Sequence, residues 1–146
     1  MNNDQSREIS LIDLIHNVSK EFVRELNIRL AKYNVTYAQW RFLLFLWQQE
    51  GLTQKALSQR VGIEPATTVR TLDRMERDEL IRRHRSERDR REINIFLTPK
   101  GKELYPVLAP ICQELEKQVV KSMDEQEIAQ CVQGISKLLK KFSIKH

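Results

Sequence analysis

Six arginines fall within ten residues: Arg82, Arg83, Arg85, Arg88, Arg90 and Arg91. The only acids among them are Glu87 and Asp89, so most of the chain's net charge of +5 is concentrated in this one stretch. A guanidinium is permanently charged and presents a planar fork of donors that matches phosphate oxygens. A cluster of them attracts a polyanion, although charge alone selects neither DNA nor RNA nor an anionic surface. Asp89 gains nothing from phosphate; its expected role is to hold a neighbouring arginine by a charge-assisted pair. A second set lies just upstream, where Ala66, Thr67, Arg70, Thr71 and Arg74 share one side of a helical pattern. Small and hydroxylated side chains there permit close approach to a groove, and arginines one turn apart reach bases or phosphates.

The elements that must position these residues are legible around them. Thr53 opens a short helix carrying Ala56, Leu57 and Val61, and Gly62 is its natural stop. Pro65 suits the first position of a further helix over roughly 65–78, with Val69, Leu72 and Met75 expected on its core side. Two short helices joined by a tight turn make a helix-turn-helix, whose second member enters a major groove by its N-terminal end. Leu80–Arg85 and Glu92–Leu97 read as two strands, because Ile93, Ile95 and Leu97 alternate with Asn94 and Phe96. The hairpin makes the unit a winged one. Its tip, Ser86–Arg91, suits a narrow A·T-rich minor groove with enhanced negative potential.

Longer helical patterns flank this block. Residues 10–33 carry Ile12, Ile15, Val18, Phe22, Leu26 and Leu30 as one stripe, with Ser10 as cap and Asn34 as stop. Residues 37–49 are apolar on several faces, which places that helix centrally; Thr36 and Gln39 suit a reciprocal cap. A helix from Thr98-Pro99 towards residue 122 contains Pro106 and Pro110, which are expected to bend or interrupt its first two turns. Asp124 and Glu127 cap a last helix carrying Ile128, Val132, Ile135, Leu139 and Phe142. The expected fold class is mainly α with a small β-wing.

Composition narrows the function classes. With 146 residues and 40% hydrophobic content, one modest domain is expected. There is no run of 18 apolar residues and no apolar signal segment, so a cytoplasmic location with no membrane span is expected. His16, His84 and His146 are scattered, no metal-ligand spacing occurs, and four glycines form no phosphate loop. An enzyme, a metal and a cofactor are therefore not expected. Cys112 and Cys131 are too few for a disulfide scaffold, and neither has a run of basic residues nearby to lower its pKa for thiol sensing. A protein-interaction module without DNA binding would need a neutral or acidic wing, opposite to this one.

Across Thr36–Gly101 the chain resembles the multiple-antibiotic-resistance regulator (MarR) family of winged-helix transcription factors. The resemblance is carried by TYAQWRFLLFL, LTQKALSQRVGIEPATTVRTLDRME, the D-R-R at 89–91 and the closing LTPKG; VRTLDRMERDELI is similar to SlyA-like members. It implies a homodimer in which residues 1–35 and 99–146 form a helical dimerisation region. The winged region, 36–98, would then read a pseudo-palindromic double-stranded DNA operator. It places DNA contacts at Ala66, Thr67, Arg70 and the wing-tip Arg91, with Asp89 orienting the wing arginines. Thr71, Arg74, Arg88 and Arg90 are added on chemical grounds. It further implies a repressor relieved by a small aromatic or anionic ligand in a crevice near Ile15, His16, Tyr37, Trp40, Arg41 and Phe45. The alternatives are an activator that displaces other repressors, or a thiol-redox-responsive regulator. One departure stands out: relatives usually carry glycine where this chain has Glu79. If that position needs a positive φ, glutamate adds ~1 kcal/mol of strain.

Overall fold

The structure, a computed structural model, describes residues 9–143; His146 lies outside the described residues. Its elements are α1 (Leu11–Leu30), a 3-10 turn (Ala31–Tyr33), α2 (Tyr37–Gln48), α3 (Gln54–Val61), α4 (Pro65–Arg77), β1 (Ile81–Arg85), β2 (Ile93–Leu97), α5 (Pro99–Glu103), α6 (Tyr105–Val119) and α7 (Glu125–Ser143).

Local chemistry sets most boundaries. The Ser10 hydroxyl accepts the Asp13 N–H at 3.1 Å, and Asn34 ends the following 3-10 turn at φ 59°. At α2, Thr36 Oγ1 accepts the Gln39 N–H while Gln39 Oε1 accepts the Thr36 N–H, both at 3.1 Å. Two of the orphan donors of the helix start are thereby satisfied. The same Gln39 is buried, and its Nε2 donates to Asp78 Oδ2 at 3.1 Å, tying the start of α2 to the end of α4.

The core is built round α2. Phe42, Leu43 and Leu46 are wholly inaccessible to solvent, as are Leu30 of α1, Leu57 of α3, Leu72 and Met75 of α4, and Ile95 of β2. Burial of each such side chain contributes about 1.5–3 kcal/mol.

Two expectations change. Val69 is 37% exposed and Thr68 is fully buried, so the core side of α4 is Thr68, Leu72 and Met75. A helix tolerates Thr68 there because its Oγ1 donates to Ser58 Oγ at 2.9 Å, and Ser58 Oγ donates on to the Ile63 carbonyl at 2.7 Å. The helix expected from Pro99 onwards is two helices, interrupted at Leu104. Pro106 has no N–H to give to Lys102, and its ring crowds that carbonyl. The chain restarts with Val107 and Leu108 both donating to the Leu104 carbonyl, at 3.1 and 2.8 Å. Pro110 is carried inside α6.

β1 and β2 pair antiparallel, from Ile81 opposite Leu97 to Arg85 opposite Ile93. The segment before α3 adds to β2: the Gly51 N–H donates to the Ile95 carbonyl and the Ile95 N–H to the Leu52 carbonyl, both at 2.9 Å. Gly51 makes this turn at φ 79°. The root of the hairpin is thus stitched to the chain that enters the helix-turn-helix. The chain forms two compact units, the first running to Ile111 and the second beginning at Cys112.

Candidate nucleic-acid interface

The turn between α3 and α4 is set by two residues. Gly62 takes φ 75° and its N–H closes on the Ser58 carbonyl at 3.0 Å. Pro65 occupies the first turn of α4, where a missing N–H costs nothing. The buried relay from Thr68 through Ser58 to the Ile63 carbonyl then locks the start of α4 against α3. This leaves the other side of α4 open. Ala66, Arg70 and Arg74 are exposed, and Thr67 and Thr71 are half-buried. Thr71 Oγ1 donates to the Thr67 carbonyl at 3.0 Å, so its hydroxyl proton is committed to the helix and its oxygen is left as an acceptor. Arg70 Nη2 lies 3.4 Å from Thr67 Oγ1.

The hairpin tip is organised from within. Ser86 Oγ accepts the N–H groups of Arg88 and Asp89, at 3.2 and 3.4 Å. Arg85 Nη1 reaches across the turn to the Arg90 carbonyl at 2.8 Å. Asp89 Oδ1 accepts both the N–H and the Nε–H of Arg91, at 3.0 and 3.2 Å, while the Arg91 side chain remains 91% exposed. Asp89 therefore aims Arg91 without neutralising it in a buried pair. Arg88 and Arg90 are exposed beside it. A groove of about 840 Å³ runs between the α3–α4 turn and the wing, lined among others by Thr53, Ser58, Pro65, Thr68, Asp89 and Arg91.

Three contributors were not legible as site residues: Ser58 and Thr68, which fix the helix pair, and Arg83, whose guanidinium turns towards α4. The alternation of β1 was the available signal for Arg83, since it puts Arg83 on the side of Ile81 and opposite to Arg82 and His84.

The residues expected at a ligand crevice divide. Ile15 and His16 are exposed on α1. On α2, Tyr37 and Trp40 approach with ring centroids 6.0 Å apart, and the Arg41 guanidinium lies 5.7 Å from the Phe45 ring centre. Trp40 is 6% exposed, and its Nε1 is buried with no hydrogen-bond partner. Cys112 is half-buried, and burial, assisted by the carboxylate of Glu116, pushes its thiol above the ordinary range; Cys131 is exposed. Among the described residues, no group of three or more His, Cys, Asp or Glu side chains is placed to hold a metal, and no helix is long and apolar enough to cross a membrane.

A helix pair, an exposed second helix and a basic two-stranded hairpin define a winged helix-turn-helix protein. Residues 35–93 match the MarR family, and the chain belongs to that family. It is 38% identical over 94 residues to the organic hydroperoxide resistance transcriptional regulator of Bacillus subtilis, covering 64% of each chain. It is 35% identical over 100 residues to the transcriptional regulator TtmR of Methylorubrum extorquens, covering 68% of this chain and 51% of that one. The matched region is thus about half to two thirds of the length of these curated relatives. The protein in a MepR–DNA complex from S. aureus superposes with a TM-score of 0.86 at 29% identity, covering 92% of this chain and 99% of that one.

Proposed function

We propose that the chain is a sequence-specific, double-stranded DNA-binding transcriptional regulator that works as a homodimer in the cytoplasm. α4 reads a major groove through Ala66, Thr67, Arg70, Thr71 and Arg74. The wing meets the flanking minor groove through Arg91, with Arg88 and Arg90 on phosphates. The observation that carries this reading is the pair Asp89–Arg91: an arginine at a hairpin tip, held by two hydrogen bonds at its base and open to solvent at its end. The similarity to a protein solved on DNA supports it.

Selection of bound duplexes from a random pool tests the reading, and a palindromic enriched site is the expected result. Arg70→Ala should then weaken binding and relax choice in the core of the site. Arg91→Ala should weaken it at A·T-rich flanks, each by about 1–3 kcal/mol. Anisotropy titrations on the enriched and scrambled duplexes, at fixed salt, separate the two. Unchanged affinity of both variants for every duplex would reject both assignments.

The regulator is further proposed to repress, and to be relieved by a small aromatic acid seated near Tyr37, Trp40, Arg41 and Phe45, with Ile15 and His16 at its margin. Trp40 Nε1 supports this: a buried donor without an acceptor costs about 1–3 kcal/mol, which a ligand oxygen would recover. The guanidinium of Arg41, one residue along α2, supplies a charge for a carboxylate. Benzoate titration, followed by tryptophan fluorescence and by release of DNA, is the measurement. No response at millimolar benzoate would remove the ligand arm and leave DNA reading intact.

A further inference from the structure

Arg83 belongs to the arginine cluster by sequence, yet its guanidinium turns back onto α4. Nη1 pairs with Asp73 Oδ1 at 2.5 Å, Nη2 donates to the Val69 carbonyl at 3.1 Å, and the Arg83 backbone N–H donates to Glu76 Oε2 at 3.2 Å. Its side chain is 21% exposed, against 91% for Arg91, and its Nε is buried. One residue of β1 therefore grips α4 at three points spread over about two helical turns. A two-stranded hairpin is marginally stable alone, so its direction is set by such attachments.

We propose that Arg83 is a positioning residue for DNA reading. Clamped to Asp73, the Val69 carbonyl and Glu76, it fixes where the wing tip lies relative to the bases that face α4. The inference rests on the DNA-reading function above and adds the coupling between its two halves: the major-groove helix and the minor-groove arginine are held at one spacing by this clamp. Arg83 contributes to affinity through Arg91, not through a phosphate of its own.

Asp73 gives the test a sign. It is an exposed acid on the same helix as Arg70 and Arg74. If it acted only through its charge, Asp73→Ala would relieve repulsion of the phosphates and strengthen binding. As half of the clamp, its removal weakens binding. Arg83→Ala, Asp73→Ala, Arg91→Ala and the double variants with Arg91→Ala are titrated by anisotropy on a duplex enriched from a random pool. Amide hydrogen exchange on the DNA-free proteins is measured in parallel.

Arg83→Ala and Asp73→Ala should each weaken binding roughly three- to tenfold, and should have little further effect once Arg91 is alanine, since residues acting through one contact are not additive. In the absence of DNA, exchange should accelerate in β1 and β2 and stay unchanged in α2. Tighter or unchanged binding by Asp73→Ala overturns the proposal. So does full additivity of Arg83→Ala with Arg91→Ala, which would make Arg83 a contact in its own right. Unaltered wing exchange overturns it as well. Should Arg83→Ala fail to fold, Asp73→Asn decides by the same sign, because its side chain is on the surface. If the wild type enriches no duplex, the DNA-reading function falls, and wing exchange still decides whether the clamp exists.

Discussion

Glu79 sits at φ 61°, in the left-handed region where a Cβ crowds the following carbonyl. Its backbone has to be there. The Glu79 N–H donates to the Glu76 carbonyl at 3.0 Å, and its own carbonyl accepts the Thr98 hydroxyl at 2.5 Å, which carries the chain from α4 into β1. Neither bond involves the glutamate side chain. Glu79→Gly therefore keeps the turn and removes ~1–2 kcal/mol of strain. The added freedom of the unfolded chain takes back ~0.4–1 kcal/mol. A net gain of about 0.5–1 kcal/mol is expected, read as a higher urea midpoint at unchanged m-value. A lower midpoint would mean that the side chain itself stabilises the turn. Asn34, at φ 59°, is the weaker site for the same substitution, because asparagine tolerates this region better.

At the scale of elements, the angle between α3 and α4 depends on two hydroxyls. Ser58→Ala strands the fully buried Thr68 Oγ1 and removes the bond to the Ile63 carbonyl, an expected loss of about 2–3 kcal/mol. Thr68→Val keeps the shape of the side chain and leaves Ser58 donating to Ile63, so it should cost only about 1 kcal/mol. The double variant should cost less than the two singles together, because the second change removes the group that the first one stranded. Equilibrium urea unfolding of all three decides it, and strict additivity would show that the relay does not act as a unit. The relay joins hydroxyls ten residues apart, beyond the reach of any local sequence pattern. Caps and stops such as Thr36–Gln39, Gly62 and Pro65 are legible because their chemistry is confined to three or four neighbours. Thr68 and Val69 are both β-branched and one step apart on the helix, so only the presence of Ser58 across the turn decides which goes inside. Asp89 with Arg91 was legible from proximity along the chain; Arg83 with Asp73 was not, since ten residues and a turn separate them. Pro106 announced a disturbance, and whether the helix bends or breaks depended on where the next carbonyl acceptor, Leu104, came to lie.

On the scale of the whole molecule, the outer helices carry apolar surface that a single copy leaves in water. On α1, Ile12 is 79% and Val18 52% exposed; on α7, Val132 is 61%, Ile135 57% and Phe142 74% exposed. Such residues recur at helical spacing on each helix, and apolar patches of this kind on soluble proteins mark association surfaces. In the proposed homodimer, association about a two-fold axis would cover the same residues on both partners and set two winged regions on the two halves of a palindrome. Ile135→Asp separates association from folding, since the side chain is exposed in one copy and would become a buried charge only in the proposed pair. Sedimentation velocity should show the wild type as a dimer and the variant as a monomer at micromolar concentration. The wild type's urea midpoint should rise with protein concentration, as mass action requires, and the variant's should not. Loss of the second reading head should lower affinity for a full palindrome by about 10²–10⁴-fold and leave affinity for an isolated half-site nearly unchanged. A wild type that sediments as a monomer, with a concentration-independent midpoint, would sink the dimer and leave one winged region to read its site alone.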